Sequence, residues 1–401
     1  MKTLALSVFL VPALFGQSFT GMWDATVVSG GVTVPFRMQF ANDGAQVQAW
    51  FFNVDDKTPS TFGRFENGSL LLKFDHLGTR LEAKWKDGHL EGMYYGGRKT
   101  GNLPFRAEPA SAKHEGAGGT APSIGGEWEI LQVKSGKGES AWRFLVQQSG
   151  SDVTATILRV DGDTGGISGT YRDAKFVLSH FSGARAALLL VEPRRDGTLH
   201  LTMNGSTEYK AVRPTEARAE GLTGPTDPER HTGVKDPSEP FRFSFRDLNG
   251  KVVSQDDPRY RNKVVIVSIL GSWCPNCHDE APYLAELYRR YREQGLEIVG
   301  LAFEEADQLE DPVRLRAFVK QYGIEYPMLV CGEPDQASEK MPQLKNFDAW
   351  PTILLLGRDG RVRQVHAGFP SAGSGAVYAQ TRHEIAASVE KLLAETTVSS
   401  R

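Results

Sequence analysis

The chain has 401 residues, 40% of them hydrophobic and 24% charged, with a formal net charge of −3. That length supports two or three domains, each with its own core, and the composition is that of a globular protein. The near-neutral balance and the lack of any dense Lys/Arg run exclude an electrostatic nucleic-acid surface and a polybasic membrane patch.

Residues 1–18 have the layout of a secretory signal peptide. Lys2 supplies the positive start, Leu4 to Phe15 is almost wholly apolar, and Gly16, Gln17 and Ser18 follow as small and polar residues. The apolar run is shorter than the roughly 20 residues a spanning helix needs. Cleavage is expected after Gly16 or Ser18, giving an exported, soluble and periplasmic chain. No Cys follows the run, which argues against a lipoprotein anchor. A buried first strand or an uncleaved anchor is the alternative.

Two shifts in composition mark linkers at 109–121 and 214–239. They leave three pieces, 19–108, 122–213 and 240–397. The first two read as copies. Gly21-Met22-Trp23 recurs as Gly126-Glu127-Trp128, and Phe36-Arg37-Met38 as Trp142-Arg143-Phe144. Gly63 to Phe74 aligns with Gly169 to His180, and Asp87-Gly88-His89-Leu90 recurs as Asp196-Gly197-Thr198-Leu199. The offset stays near one hundred and six residues, and the shared order points to a duplication.

Both copies alternate with period two. Val32, Val34, Phe36, Met38 and Phe40 share one face, as do Leu81, Ala83 and Trp85, and Leu199, Leu201 and Met203. Asp43-Gly44, Asn67-Gly68, Asp87-Gly88 and Asp196-Gly197 are turn signals between strands. Two antiparallel all-β repeats, each a small barrel or sandwich, are expected. The opening Gly-x-Trp resembles that of lipocalin-type barrels, but three residues carry no function. Trp23 and Trp128 read as core aromatics.

The third piece is α/β. Lys263 to Leu270 is a continuous β-branched run, as in a strand buried on both faces. A helix follows with Leu284, Leu287, Tyr288 and Tyr291 on one side. Leu296 to Phe303 reads as a second buried strand and Pro312 to Tyr322 as a helix. Thr352 to Leu356 and Val362 to Val365 form a hairpin, and a last helix carries Ile385, Val389, Leu392 and Leu393.

The chemistry lies in Trp273-Cys274-Pro275-Asn276-Cys277, placed where the first buried strand ends and a helix begins. A helix N-terminus offers free N–H groups and partial positive charge, which lower a thiol pKa. The thiolate is the attacking species in disulfide exchange, so Cys274 is the expected nucleophile and Cys277, one turn on, the resolving thiol. Pro275 suits the first helical position.

This segment resembles the thioredoxin superfamily, and within it the TlpA/ResA-like exported members. The pattern Trp-Cys-x-x-Cys-x-x-Glu-x-Pro is met by Trp273, Cys274, Cys277, Glu280 and Pro282, and the resemblance covers about 240–397. It implies a Pro282 kink in the active-site helix and a cis-proline at Pro351, with Trp273 and the Trp350 backbone beside an extended substrate. It also implies a disulfide oxidoreductase acting on thiol- or disulfide-bearing exported proteins, with a membrane or periplasmic electron donor and no cofactor or metal. Many thioredoxins carry a buried Asp six residues before the first Cys. Here that residue is Ser268, and Glu280 is the substitute expected to move the proton; an exposed Glu complementing the helix dipole is the alternative.

Four other readings stay open. The repeats could be a binding module that the thiol pair merely serves. A thiol peroxidase is a second alternative. Cys274, Cys277 and His278 also spell the C-x-x-C-H attachment pattern of c-type haem. Zinc lacks a second close Cys or His pair. Cys331 reads as a buried core thiol, the adjacent Glu304 and Glu305 as a solvated loop, and Gly368 to Gly375 as turn geometry without chemistry.

Overall fold

The computed structural model describes residues 20–395 apart from 55, 98–100, 111–120 and 134. The expected signal peptide, and most of the linker expected at 109–121, lie outside the described residues.

The first repeat is a closed barrel of eight antiparallel strands. Around the ring run Val32–Asp43, Gly21–Ser29, Asn102–Pro109, His89–Tyr95, Thr79–Lys86, Ser69–Phe74, Phe62–Glu66 and Gln46–Asn53, and the last pairs back onto the first. The second repeat closes in the same order, with Ala141–Ser149, Gly126–Leu131, Thr207–Val212, Leu199–Met203, Ala186–Pro193, Lys175–Phe181, Ile167–Arg172 and Asp152–Arg159. Closure leaves no exposed edge within the ring, which settles barrel over sandwich. Even the register agrees: Trp23 stands opposite Met38 in one copy and Trp128 opposite Phe144 in the other. Both tryptophans are core residues, 3% and 4% exposed.

Alternation builds each barrel's interior. Val34, Phe36, Met38 and Phe40 point inward along one strand of the first barrel, and Phe144 and Val146 along the equivalent strand of the second. The first core also takes in a fully buried residue of the second repeat. Phe181 packs among Phe36, Phe51 and Tyr94.

Residues 214–239 carry the short helices Pro214–Ala219 and Pro228–His231 and a strand Gly233–Val234 that pairs with Leu344–Lys345. Beyond them lies a seven-stranded mixed sheet in the order Val252–Ser254, Ser244–Asp247, Met328–Gly332, Leu296–Phe303, Val264–Leu270, Thr352–Leu356, Val362–Ala367. The three strands Val264–Leu270, Leu296–Phe303 and Met328–Gly332 are parallel and buried on both faces, as their unbroken apolar sequences require. The helices Pro275–Tyr291 and Ala376–Ala394 cover one face with Leu284, Leu287, Ile385 and Val389; Phe241, Phe243 and Tyr260 pack on the other. No helix among the described residues is long and apolar enough to cross a membrane.

Candidate active site

The strand Val264–Leu270 ends one turn before Cys274, and the helix Pro275–Tyr291 starts directly after it. Cys274 occupies the N-cap with extended backbone angles, and Pro275 takes the first helical position. Cys277 follows one turn deeper, its N–H bonded to the Cys274 carbonyl at 3.1 Å. Cys274 is 5% exposed and Cys277 fully buried.

The two thiols are driven apart electrostatically. Burial presses the Cys274 pKa upward. Hydrogen bonds from the Cys277 thiol and backbone N–H, joined by the charge of Arg185, outweigh it, so the net shift is downward. Burial pushes the Cys277 thiol well up, and its bond to Cys274, the charge of that sulfur and the charge of Glu280 add to the rise. The outer thiol is thus the more readily ionised of the two, and the inner one holds its proton more firmly.

Glu280 is 2% exposed, which removes the reading of a solvated carboxylate complementing the helix dipole. Its Oε2 accepts a 2.6 Å hydrogen bond from Ser268 Oγ, and its Oε1 has no hydrogen-bond partner. Burial raises its pKa to about 8; the Ser268 bond opposes this and the Cys274 charge adds to it. The serine found where an aspartate was expected thus holds the Glu280 carboxyl in place.

The Trp350–Pro351 peptide is cis, and Cys274 Sγ lies 3.4 Å from the Trp350 carbonyl. Trp273 meets Trp350 edge to face, with ring centroids 5.5 Å apart, and donates its indole N–H to the Phe303 carbonyl. Pro282 sits inside the active-site helix. Cys274, Cys277, Glu280, Trp273, Pro275, Trp350 and Pro351 therefore converge on one end of the sheet.

His278 spends both ring nitrogens locally, on the Ser272 carbonyl and the Tyr322 hydroxyl, each at 2.9 Å. Burial lowers its pKa to about 3. Service as a haem ligand through either nitrogen would require breaking one of these bonds. Cys331 is 2% exposed and burial pushes its thiol well up, which makes it a poor nucleophile.

Glu304 and Glu305 correct the expectation of a solvated loop. Glu304 is fully buried and pairs with Arg314 at 2.9 Å, while Arg314 also reaches Glu305 at 2.8 Å. Glu304 accepts from both the backbone N–H and the hydroxyl of Ser272, each at 2.7 Å. This network pins the residue two places before Cys274. A carboxylate pair with a cation ten residues on was the available signal, but burial is not readable from it.

The barrels supply residues that sequence reasoning missed altogether. Asn276 Nδ2, between the cysteines, donates to the Asp161 carbonyl at 2.5 Å. Arg185 Nη2 donates to Asn276 Oδ1 at 3.3 Å. Gly162 makes a parallel bridge to Phe369, and Ser371 donates through its N–H and hydroxyl to Asp163 Oδ2 at 3.0 and 2.9 Å. A Cβ on Gly162 would collide with Asn276 and the Phe369 carbonyl, and one on Gly368 with the backbone at Asp161. The loop at Gly368 thus does more than turn: it docks the second barrel. From the first barrel, His76 packs 5.8 Å from His278, centroid to centroid. Together the three domains wall a cleft of about 550 Å³ over Cys274, lined by Leu77 and Thr79 of the first barrel and Lys137, Asp161 and Arg185 of the second.

Residues 237–365 match the AhpC/TSA family. The chain is similar to the thiol-disulfide oxidoreductase ResA of Bacillus thuringiensis strain Al Hakam, 32% identical over 120 residues, which are 30% of this chain and 62% of that protein. It is also similar to the ResA of Bacillus subtilis strain 168, 27% identical over 34% of this chain and 69% of the relative. The chain thus spans under two thirds of the first of these relatives. Among solved structures, a thiol:disulfide interchange protein of the thioredoxin family from Chlorobium tepidum TLS aligns at a TM-score of 0.32 and 22% identity, over 40% of this chain and 99% of that one. The C-terminal region of the chain is accordingly a thioredoxin-fold domain of the AhpC/TSA family, TlpA/ResA-like in sequence.

Proposed function

We propose that the chain is an exported thiol-disulfide oxidoreductase that exchanges a Cys274–Cys277 dithiol or disulfide with thiol- or disulfide-bearing exported proteins. The observation that carries this reading is the placement of two thiols one helical turn apart, the outer at a helix N-terminus and the inner fully buried, which moves their pKa values in opposite directions.

In the reducing direction, the Cys274 thiolate attacks a client disulfide. A mixed disulfide forms and one client thiolate leaves. The mixed disulfide removes the Cys274 charge that helps raise the Glu280 pKa; the ionised Glu280 carboxylate then takes the proton of Cys277, whose sulfur attacks Cys274 and releases the second client thiolate. Two electrons pass to the client and the Cys274–Cys277 disulfide remains. The oxidising direction is the reverse, and the reduction potential decides between them. Trp350 and cis Pro351 shape the groove wall, and Pro275 and Pro282 shape the helix. A membrane or periplasmic donor would re-reduce the pair. The same reading keeps residues 1–18 as a signal peptide, 19–108 and 122–213 as the repeats, 240–397 as the redox domain, and 109–121 and 214–239 as the linkers.

A Cys277→Ser variant tests the sequence of steps, because it should accumulate a mixed disulfide on Cys274 when mixed with an oxidised client. Cys274→Ser should accumulate none. Equal trapping by both variants would reject the assignment of nucleophile and resolving thiol. The reading of the repeats as a binding module gains support from one feature, the barrel residues that wall the cleft above Cys274.

A further inference from the structure

The steps above use only side chains of the C-terminal domain, yet the second barrel reaches the redox turn twice, through the Asp161 carbonyl and through one hairpin. Its strands Lys175–Phe181 and Ala186–Pro193 meet at a tip that Phe181 and Gly183 fasten to the first barrel. Phe181 and Asn53 exchange two hydrogen bonds of 2.8 and 2.9 Å, and Tyr94 donates its hydroxyl to the Gly183 carbonyl at 2.8 Å. A tip held this firmly fixes the start of the returning strand. There Arg185 donates from Nη1 to the Asp163 carbonyl at 2.7 Å and from Nη2 to Asn276 Oδ1 at 3.3 Å.

The charges around the cleft single this residue out. Among the described residues, the two other cations lining it are spent on carboxylates, Lys137 on Asp161 and Arg314 on Glu304 and Glu305. Arg185 is held instead by a carbonyl and an amide, and among the described residues it forms no salt bridge. The acids that face Cys274 do little to cancel its charge. Asp161 and Glu305 are paired, and Asp335 stands in solvent at the rim. On the active-site helix, burial raises the pKa values of Asp279 and Glu280, and on the barrel side it raises that of Asp163, so each holds a proton more readily than a solvated acid.

We propose that Arg185 is a positioning residue of the redox centre: it fixes Asn276 between the two cysteines and turns its guanidinium charge toward the Cys274 thiolate. The N-terminal repeats are then part of the redox site and set its reactivity. This rests on the reading of Cys274 as the attacking thiolate.

The test uses the full chain, reduced, with the rate of Cys274 alkylation by iodoacetamide followed against pH. The buried, raised Cys277 and Cys331 thiols stay silent in the range where Cys274 titrates. Arg185→Gln should move the midpoint up by about one unit. Below that midpoint the rate should fall by only about threefold, because a more basic thiolate is a better nucleophile and offsets part of the lost ionisation. Arg185→Lys, which keeps the charge without the planar fork, should recover most of the shift. A coincident profile for Arg185→Gln overturns the assignment, and so do equal shifts in the Gln and Lys variants. Should Arg185→Gln fail to fold, Asn276→Ala cuts the same tether from the helix side, and an unmoved midpoint there also overturns it. Failure of the redox reading would look different, since the unaltered chain would then not lose two thiols together on oxidation.

Discussion

Phe181 and Arg185 lie four residues apart on one hairpin and serve different domains: Phe181 is fully buried in the core of the first barrel, while Arg185 bonds Asn276 in the redox turn. This tip therefore links both repeats to the active site, beside the direct contacts of Asp161 and His76. Removing the Phe181 ring should leave a cavity and cost about 3–5 kcal/mol in chemical denaturation of the first barrel. Because the tip also positions Arg185, Phe181→Ala should raise the midpoint of Cys274 alkylation. Phe40→Ala, equally buried in the same core but away from the hairpin, should cost a similar amount and leave that midpoint alone. Identical profiles in the two variants would break the link between barrel packing and thiol reactivity.

Glu280 gives a pH signature with a definite sign. Its carboxyl titrates near 8 in the folded chain, against an ordinary value of 4.5, with burial the largest cause. Between those values the folded state holds a proton that the unfolded state has lost, so this group makes stability fall as pH rises. Glu280→Gln removes that dependence. In urea unfolding of the reduced chain, the variant should gain on the unaltered protein from pH 5 to pH 8, by an amount bounded at roughly 4–5 kcal/mol. Its exchange rate near neutral pH should drop, since the proton acceptor for Cys277 is gone. A parallel pH dependence in both proteins would place the carboxylate in solvent.

Arg314 supports the redox loop through a buried pair. Arg314→Met leaves the Glu304 carboxylate buried without its cation and should cost about 3–5 kcal/mol. Replacing both, as Glu304→Leu with Arg314→Met, should cost far less than the single change, which a double-mutant cycle in urea would show. Additive costs would mean that the two side chains do not act on each other.

The barrels also limit what can reach Cys274. A standard protein interface buries about 800 Å² on each partner, whereas a cleft of several hundred cubic ångströms suits a small or extended occupant. The cleft of about 550 Å³ walled on three sides should therefore admit a disulfide on an unstructured peptide or on glutathione far faster than one on a folded protein of equal reduction potential. A rate gap of at least about tenfold is expected in stopped-flow exchange. Equal rates would show that the walls do not restrict access.

Much of this was written in local patterns. The turn Trp273 to Cys277, the buried run Val264–Leu270 and the alternation along both repeats each depend on neighbours within a few residues, and the repeated order of motifs exposed the duplication. What stayed hidden depends on long-range placement. Asp161 and Asn276 are far apart in sequence, and nothing near either residue announces their 2.5 Å bond. Glu304 looked like part of an exposed acidic loop because its partner Arg314 arrives from the next helix. Gly162 and Gly368 carried a faint signal, since each marks a close backbone approach, but a glycine does not name what approaches it. Strand closure likewise needs the pairing of Val32–Asp43 with Gln46–Asn53, which alternation alone cannot distinguish from an open sandwich.

The account rests on the two sulfurs of the redox turn acting as one couple. Equilibrating the full chain in glutathione buffers of graded potential and counting free thiols by mass after alkylation tests this most directly. Cys274 and Cys277 should disappear together in a single two-electron transition, with Cys331 reduced throughout. Independent loss of the two thiols, or glutathione retained on Cys274 with Cys277 still free, would contradict it.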